Sequence, residues 1–200
     1  MLAIAGGKGG SGKTTTTLGL ARAIDAPTLA ADADCDLPNL HALAGVPRDP
    51  PAGGVGHPDP TASETRVVPA PRDAPDGLGR HLRRLRDDDD VGFTIVDCPA
   101  GAGPDATVPL RVADRVLLVS TACVAGLRDT AKTAAMARAV GTPVVGGVVT
   151  RARLVPPGVD DLLGCPVVTA VPDAAEPLDD TGVRRAYRRL GRAITHRPKA

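Results

Sequence analysis

Residues 6 to 17, Gly-Gly-Lys-Gly-Gly-Ser-Gly-Lys-Thr-Thr-Thr-Thr, are the stretch whose types and spacing could do chemistry. Gly7-x-x-x-x-Gly12-Lys13-Thr14 fits the phosphate-binding pattern G-x-x-x-x-G-K-[ST]. Backbone running from Gly7 through Lys8, Gly9, Gly10, Ser11 and Gly12 to Thr15 can turn its N–H groups toward phosphate oxygens, because glycine puts no Cβ in the way. A helix starting at the loop would aim its positive dipole end at the same oxygens. Lys13 would supply a point charge to the β- and γ-phosphates, and the Thr14 hydroxyl is placed to ligate Mg²⁺. A flexible Gly-rich linker is the competing reading. It predicts no ordered flanks, whereas apolar Leu2-Ala3-Ile4-Ala5 precedes the loop and a segment able to be helical, Thr14 to Ile24, follows it.

Magnesium on a triphosphate needs a carboxylate as well as a hydroxyl. Phe93-Thr94-Ile95-Val96-Asp97 is a β-branched strand ending in acid, so Thr14 and Asp97 are the expected metal pair. An ordinary turn aspartate is the alternative for Asp97.

These residues need a scaffold, and the chain alternates strand-like with helix-like segments. Strands are expected at 2–5, 28–32, 66–70, 93–97, 115–120, 143–150 and 166–171. Helices are expected after the loop, over the Leu78, Leu82, Leu85 stripe, from Leu127 to Val140 and from Gly182 to Thr195. That order predicts an α/β fold: a parallel, doubly wound sheet of about seven strands with helices on both faces. Ligands of such sheets bind at the strands' carboxyl ends, where Gly6, Asp32 and Asp97 should converge. Residues 45–65 hold five Pro and four Gly without hydrophobic period and read as an exposed loop. Asp87 to Asp90 read as solvated charge closing a helix.

A length of 200 residues suits one domain spanning 1–200. The net charge of +1 argues against a strongly basic, polyanion-coated chain. No apolar run approaches membrane-spanning length, and the N-terminus leads straight into the loop, so a cytoplasmic protein is expected. Cys35, Cys98, Cys123 and Cys165 form no C-x-x-C pair and read as reduced, mostly buried thiols. The chain uses 20 Arg but four Lys, and two of those, Lys8 and Lys13, sit in the one loop.

Lys8-Gly9-Gly10-Ser11-Gly12-Lys13-Thr14-Thr15 resembles the deviant Walker A motif of the MinD/ParA family, which carries a second, signature lysine, here Lys8. Asp32-Ala33-Asp34 with Leu37-x-Asn39-Leu40 resembles that family's switch I. Val96-Asp97-Cys98-Pro99-Ala100-Gly101 resembles switch II, Leu127-Arg128-Asp129 an element of MinD-like members, and Val171-Pro172-Asp173 the loop packing near adenine. The resemblance implies an ATP-dependent homodimer that sandwiches two nucleotides, with Lys8 reaching the partner's phosphates in trans. It implies that Asp34 orients the attacking water, that backbone at Gly101 senses the γ-phosphate, and that an activating partner triggers hydrolysis. Expected cofactors are ATP and Mg²⁺. The role implied is a dimerisation switch in cell-division positioning, partitioning or cargo positioning.

Departures from the family pattern leave alternatives. Guanine-reading relatives use Asn-Lys-x-Asp, while the single Asn here is Asn39, followed by Leu; ATP is therefore favoured. Thr150-Arg151 stands where the family often has Asn-Arg, with Arg151 placed to stack on the base. The shortened 45–65 region keeps open an ATP-binding adaptor with weak turnover. The cysteines raise a metal-cluster carrier as a further alternative. The last helix carries Val183, Ala186, Tyr187, Leu190 and Ile194 on one face, with Arg184, Arg185, Arg188, Arg189 and Arg192 on the other. It is expected to be a terminal core helix with its arginines in solvent; a helix touching a membrane surface or DNA is the competing reading.

Overall fold

The computed structural model describes residues 1–7, 9–53, 55–72, 77–88, 91–101 and 103–195. Eight strands form one sheet: β1 (Leu2–Ala5), β2 (Thr28–Asp32), β3 (His57–Asp59), β4 (Ala62–Val68), β5 (Phe93–Asp97), β6 (Arg115–Thr121), β7 (Val144–Thr150) and β8 (Val167–Val171). Their order is β3-β4-β2-β5-β1-β6-β7-β8, and every pair is parallel except the edge pair β3–β4. Among the described residues, seven helices lie between or after the strands: α1 (Lys13–Ala21), α2 (Leu40–Ala44), α3 (Leu78–Arg86), α4 (Pro104–Val112), α5 (Val124–Ala139), α6 (Val159–Leu163) and α7 (Thr181–Thr195). The doubly wound α/β sheet expected from the sequence is present, with one strand more than the seven expected.

Period-2 alternation sorts the core. In β1, Leu2 and Ile4 join the cluster under α1, α2 and α7, while Ala3 and Ala5 join the one under α4, α5 and α6. A third cluster packs Leu78, Leu82 and Leu85 of α3 on Leu29, Ala31 and Val96. All four β1 residues are at most 2% exposed, so the strand that feeds the loop is held from both faces.

Two elements correct the sequence reading, and a third, the last helix, agrees with it. Residues 45–65 are not loop throughout: β3 and the first half of β4 form an antiparallel hairpin there. Its hydrophobic period is weak because it lies at the sheet edge, where Ser63 and Glu64 face solvent and Pro58 is tolerated. Asp59 anchors it, accepting from Thr61 at 2.8 Å and pairing through its other oxygen with Arg22 at 2.9 Å. Helix α4 was masked in the sequence by Pro104 and Pro109; Pro104 stands at the helix start, where a missing N–H costs nothing. Helix α7 buries Val183, Ala186, Tyr187, Leu190 and Ile194 against α1 and β8, so its apolar stripe is core and its five arginines face solvent. The Asp87–Asp90 run caps α3 at Asp87, while Asp89 and Asp90 lie outside the described residues. Among the described residues, no helix is long and apolar enough to cross a membrane.

Candidate functional site

The loop leaves β1 at the centre of the sheet and enters α1 at Lys13. Gly12, the residue before the helix, has φ of 88° and offers no side-chain cap; no acid occupies the first turn. The helix start therefore keeps its positive end and its N–H groups for an anion. Gly7 is required by close approach: a Cβ there would stand 2.2 Å from the Asp129 carbonyl carbon. The Gly7 N–H also reaches the Thr130 hydroxyl at 3.4 Å, so the start of α5 braces the start of the loop.

A second brace comes from β7. The Thr150 hydroxyl, at the strand's end, donates to the Ser11 carbonyl at 2.7 Å and lies 3.2 Å from the Ser120 carbonyl. The Ser11 hydroxyl itself is buried and has no hydrogen-bond partner among the described residues. A donor with no acceptor, inside a loop whose helix is uncapped, fits an anionic ligand.

Three carboxylates gather beside the loop because β2, β5 and β1 are neighbours. Asp32 and Asp97 are register partners at the ends of β2 and β5. Asp97 is 3% exposed, lies beside Thr14 and accepts from the Thr17 hydroxyl at 3.5 Å. Burial pushes its carboxyl up to about 7, with the neighbouring Asp32 adding to the rise and Thr14 and Lys13 opposing it. Asp32 is pushed up to about 6 by burial, against two bonds that favour its charge, from the Asp34 N–H at 2.9 Å and the Leu40 N–H at 3.1 Å. Asp34 is half-buried, and one of its oxygens accepts the Leu37 N–H at 3.0 Å. A buried acid that prefers its proton until a cation arrives, touching a threonine hydroxyl, suits a divalent metal carried on phosphate.

A cavity of about 310 Å³ opens beside Thr15, lined by Thr150, Arg151, Pro172, Asp173 and Tyr187 among others. It lies where the ends of β7 and β8 meet the first turn of α1. Arg151 has φ of 53°, and its Nε lies 3.9 Å from Asp173.

The residues singled out in the sequence therefore converge. Lys13, Thr14 and Thr15 begin α1; Asp97 touches Thr14; Asp34 sits on the adjacent strand end; Arg151, Pro172 and Asp173 line the cavity. Gly9 and Gly10 are exposed on the loop. Gly101 lies in the turn between β5 and α4, with nothing within 4 Å of a built Cβ. Lys8 lies outside the described residues. Sequence reasoning missed Thr130, Thr17 and the bracing role of Thr150. A hydroxyl residue ending a buried strand was the available signal at Thr150, which the sequence reading assigned to the base. The thiols are uneven: Cys98 and Cys165 are buried, Cys35 half-buried and Cys123 exposed. Burial pushes the Cys98 thiol up and leaves it 1% exposed, which removes it from any metal shared at a subunit face.

Comparison with known proteins agrees with this geometry. The profile of the CobQ/CobB/MinD/ParA nucleotide binding domain matches residues 2–175. An uncharacterized ATP-binding protein of Methanocaldococcus jannaschii is 28% identical, the match covering 92% of this chain and 76% of that one. Among solved structures, the cell division ATPase MinD of Pyrococcus furiosus superposes with a TM-score of 0.80 at 24% identity, over 97% of both chains. The septum site-determining protein MinD of Pyrococcus horikoshii, solved with Mg-ADP, superposes with a TM-score of 0.79 at 21% identity, over 98% of this chain and 95% of that one. With motif, sheet order and sequence profile in agreement, the chain belongs to the CobQ/CobB/MinD/ParA nucleotide-binding domain family, whose MinD and ParA members are P-loop ATPases.

Proposed function

We propose that this chain binds ATP with magnesium and hydrolyses it, using nucleotide-dependent dimerisation as a switch that positions a cellular cargo. One observation carries the reading: the buried Asp97 carboxyl, beside Thr14 and 3.5 Å from the Thr17 hydroxyl, stands at the foot of an uncapped, glycine-led helix. The residues fit magnesium on phosphate, with Thr14 and Asp97 as the groups that would hold it; the bound ion would supply positive charge to the phosphate oxygens. Backbone N–H groups of the loop and the start of α1 bind and orient the phosphates. Lys13, 7% exposed beside Asp97, sets a positive charge at the same point. Asp34 would orient the attacking water, and Lys8 would reach the partner subunit's phosphates across a dimer. An activating protein would act on the dimer.

Two variants test this. Lys8→Ala should lose ATP-dependent dimer mass and turnover together; wild-type values for both would remove the trans role. Asp34→Ala should bind ATP and fail to hydrolyse it; normal turnover would remove Asp34 from the mechanism. A second reading, an adaptor that binds ATP with weak turnover, is favoured by the Asp34 oxygen already engaged by the Leu37 N–H. Turnover with and without candidate partners separates the two. Cosedimentation with DNA and with liposomes, each in ATP and in ADP, identifies any surface met by the exposed arginines of α7.

A further inference from the structure

The cavity beside Thr15 has an unusual inventory for a site that must choose one base. The chain holds a single Asn and no Gln, so Asn39 is its one side-chain amide. Asn39 lies after β2, where it donates to the Leu37 carbonyl at 2.9 Å. Thr150 lines the cavity, but its hydroxyl donates to the Ser11 carbonyl. Pro172 and Pro177, also in the lining, have no N–H to offer.

Two charged side chains remain at the mouth. Arg151 is the one non-glycine residue with positive φ among the described residues, at 53°, a strained conformation that tends to occur at ligand clamps. Its guanidinium lies beside Asp173. Their 3.9 Å separation exceeds hydrogen-bond length, and the two side chains are 62% and 76% exposed, so each keeps hydrogen-bonding capacity for a ligand.

We propose that this mouth reads the purine edge through Arg151 and Asp173 and takes guanine as well as adenine, an inference that rests on the nucleotide reading above. Arginine only donates and an ionised aspartate only accepts. Guanine offers O6 and N7 as acceptors to the first, and N1–H and N2–H as donors to the second. Adenine offers N7 to the first and its N6 amine to the second. Both purines thus satisfy the pair, and because both side chains are exposed, neither base leaves a buried charge of the pair unpaired. That unpaired group is what gives base-specific sites their large rejection factors. A pyrimidine has no N7, the acceptor that both purines hold out to Arg151.

The test is displacement of a fluorescent ATP analogue from the full chain in magnesium buffer by ATP, GTP and CTP. ATP and GTP should displace it with constants within about tenfold of each other, and CTP should be weaker than both by more than about tenfold. Asp173→Asn, at an exposed position that should not disturb folding, replaces one acceptor oxygen by a donor. It should weaken GTP relative to ATP by at least about fivefold. ATP binding with GTP more than about tenfold weaker would overturn the inference and leave the nucleotide reading intact. An unchanged GTP-to-ATP ratio in Asp173→Asn would overturn the assignment of Asp173. No binding of the fluorescent nucleotide would overturn both the inference and the nucleotide reading.

Discussion

Asp32 and Asp97 stand side by side as register partners at the ends of β2 and β5, both buried, with their carboxyls raised to about 6 and about 7. An acid whose folded pKa exceeds its unfolded value binds its proton more tightly when folded. Its stabilising contribution is complete below the unfolded value of 3.8 and is lost as pH rises through the folded value. The ligand-free protein should therefore lose about 2–3 kcal/mol at Asp97 between pH 5 and pH 8. His41 and His81, whose pKa values burial lowers, contribute with the opposite sign at the acid end. Comparing wild type with Asp97→Asn by urea melts across that range isolates the Asp97 slope. Magnesium with nucleotide should flatten the wild-type slope, because a cation favours the charged carboxylate.

Thr150→Val keeps the shape of the side chain and removes its hydroxyl. The Ser11 carbonyl loses a donor at 2.7 Å, and the loop loses its tie to β7. The expected cost is about 1–2 kcal/mol of stability and a nucleotide affinity lower by about five- to tenfold. Thermal melts and nucleotide titration measure the two separately. An unchanged affinity would show that the tie holds the sheet and not the loop.

Gly7→Ala should act mainly on binding. The new Cβ would meet backbone of Asp129, which cannot swing aside as a side chain could. The loop must shift away from α5, and overpacking of this kind costs about 1–3 kcal/mol. Nucleotide affinity should fall by more than about tenfold while circular dichroism retains the helical content. Wild-type affinity would refute the bracing role of α5.

Gly19→Ala sets two effects against each other. Alanine in a helix interior gains up to about 1 kcal/mol. Here its Cβ would lie 2.4 Å from the ring of Tyr187, the single tyrosine, whose hydroxyl lies 3.3 Å from that of Thr16. Overpacking should win, with a net loss of about 1–2 kcal/mol. Combining it with Tyr187→Leu should recover part of that loss, and a double-mutant cycle by chemical denaturation reads the coupling.

Much of this architecture is legible before any coordinates. The strands 2–5, 28–32 and 93–97 lie where apolar runs put them, because a strand buried on both faces has no polar positions to blur its ends. The α3 stripe of Leu78, Leu82 and Leu85 is the buried face. The edge hairpin and α4 were hidden, since an edge strand buries little and prolines at a helix start resemble loop.

Sequence by itself determined the loop, its lysines, the acid-ended strands and the parallel order of elements, all of which are local spacings of residue types. Only the tertiary structure decided what each polar group near the loop is engaged in. Whether the Thr150 hydroxyl faces a base or the Ser11 carbonyl depends on how far β7 reaches beside β6. Whether α7 offers its apolar stripe or its arginines depends on α1 lying beneath Tyr187. Both outcomes follow from close packing between elements far apart in the chain, where ångström distances assign each donor to one acceptor and no local pattern records the choice.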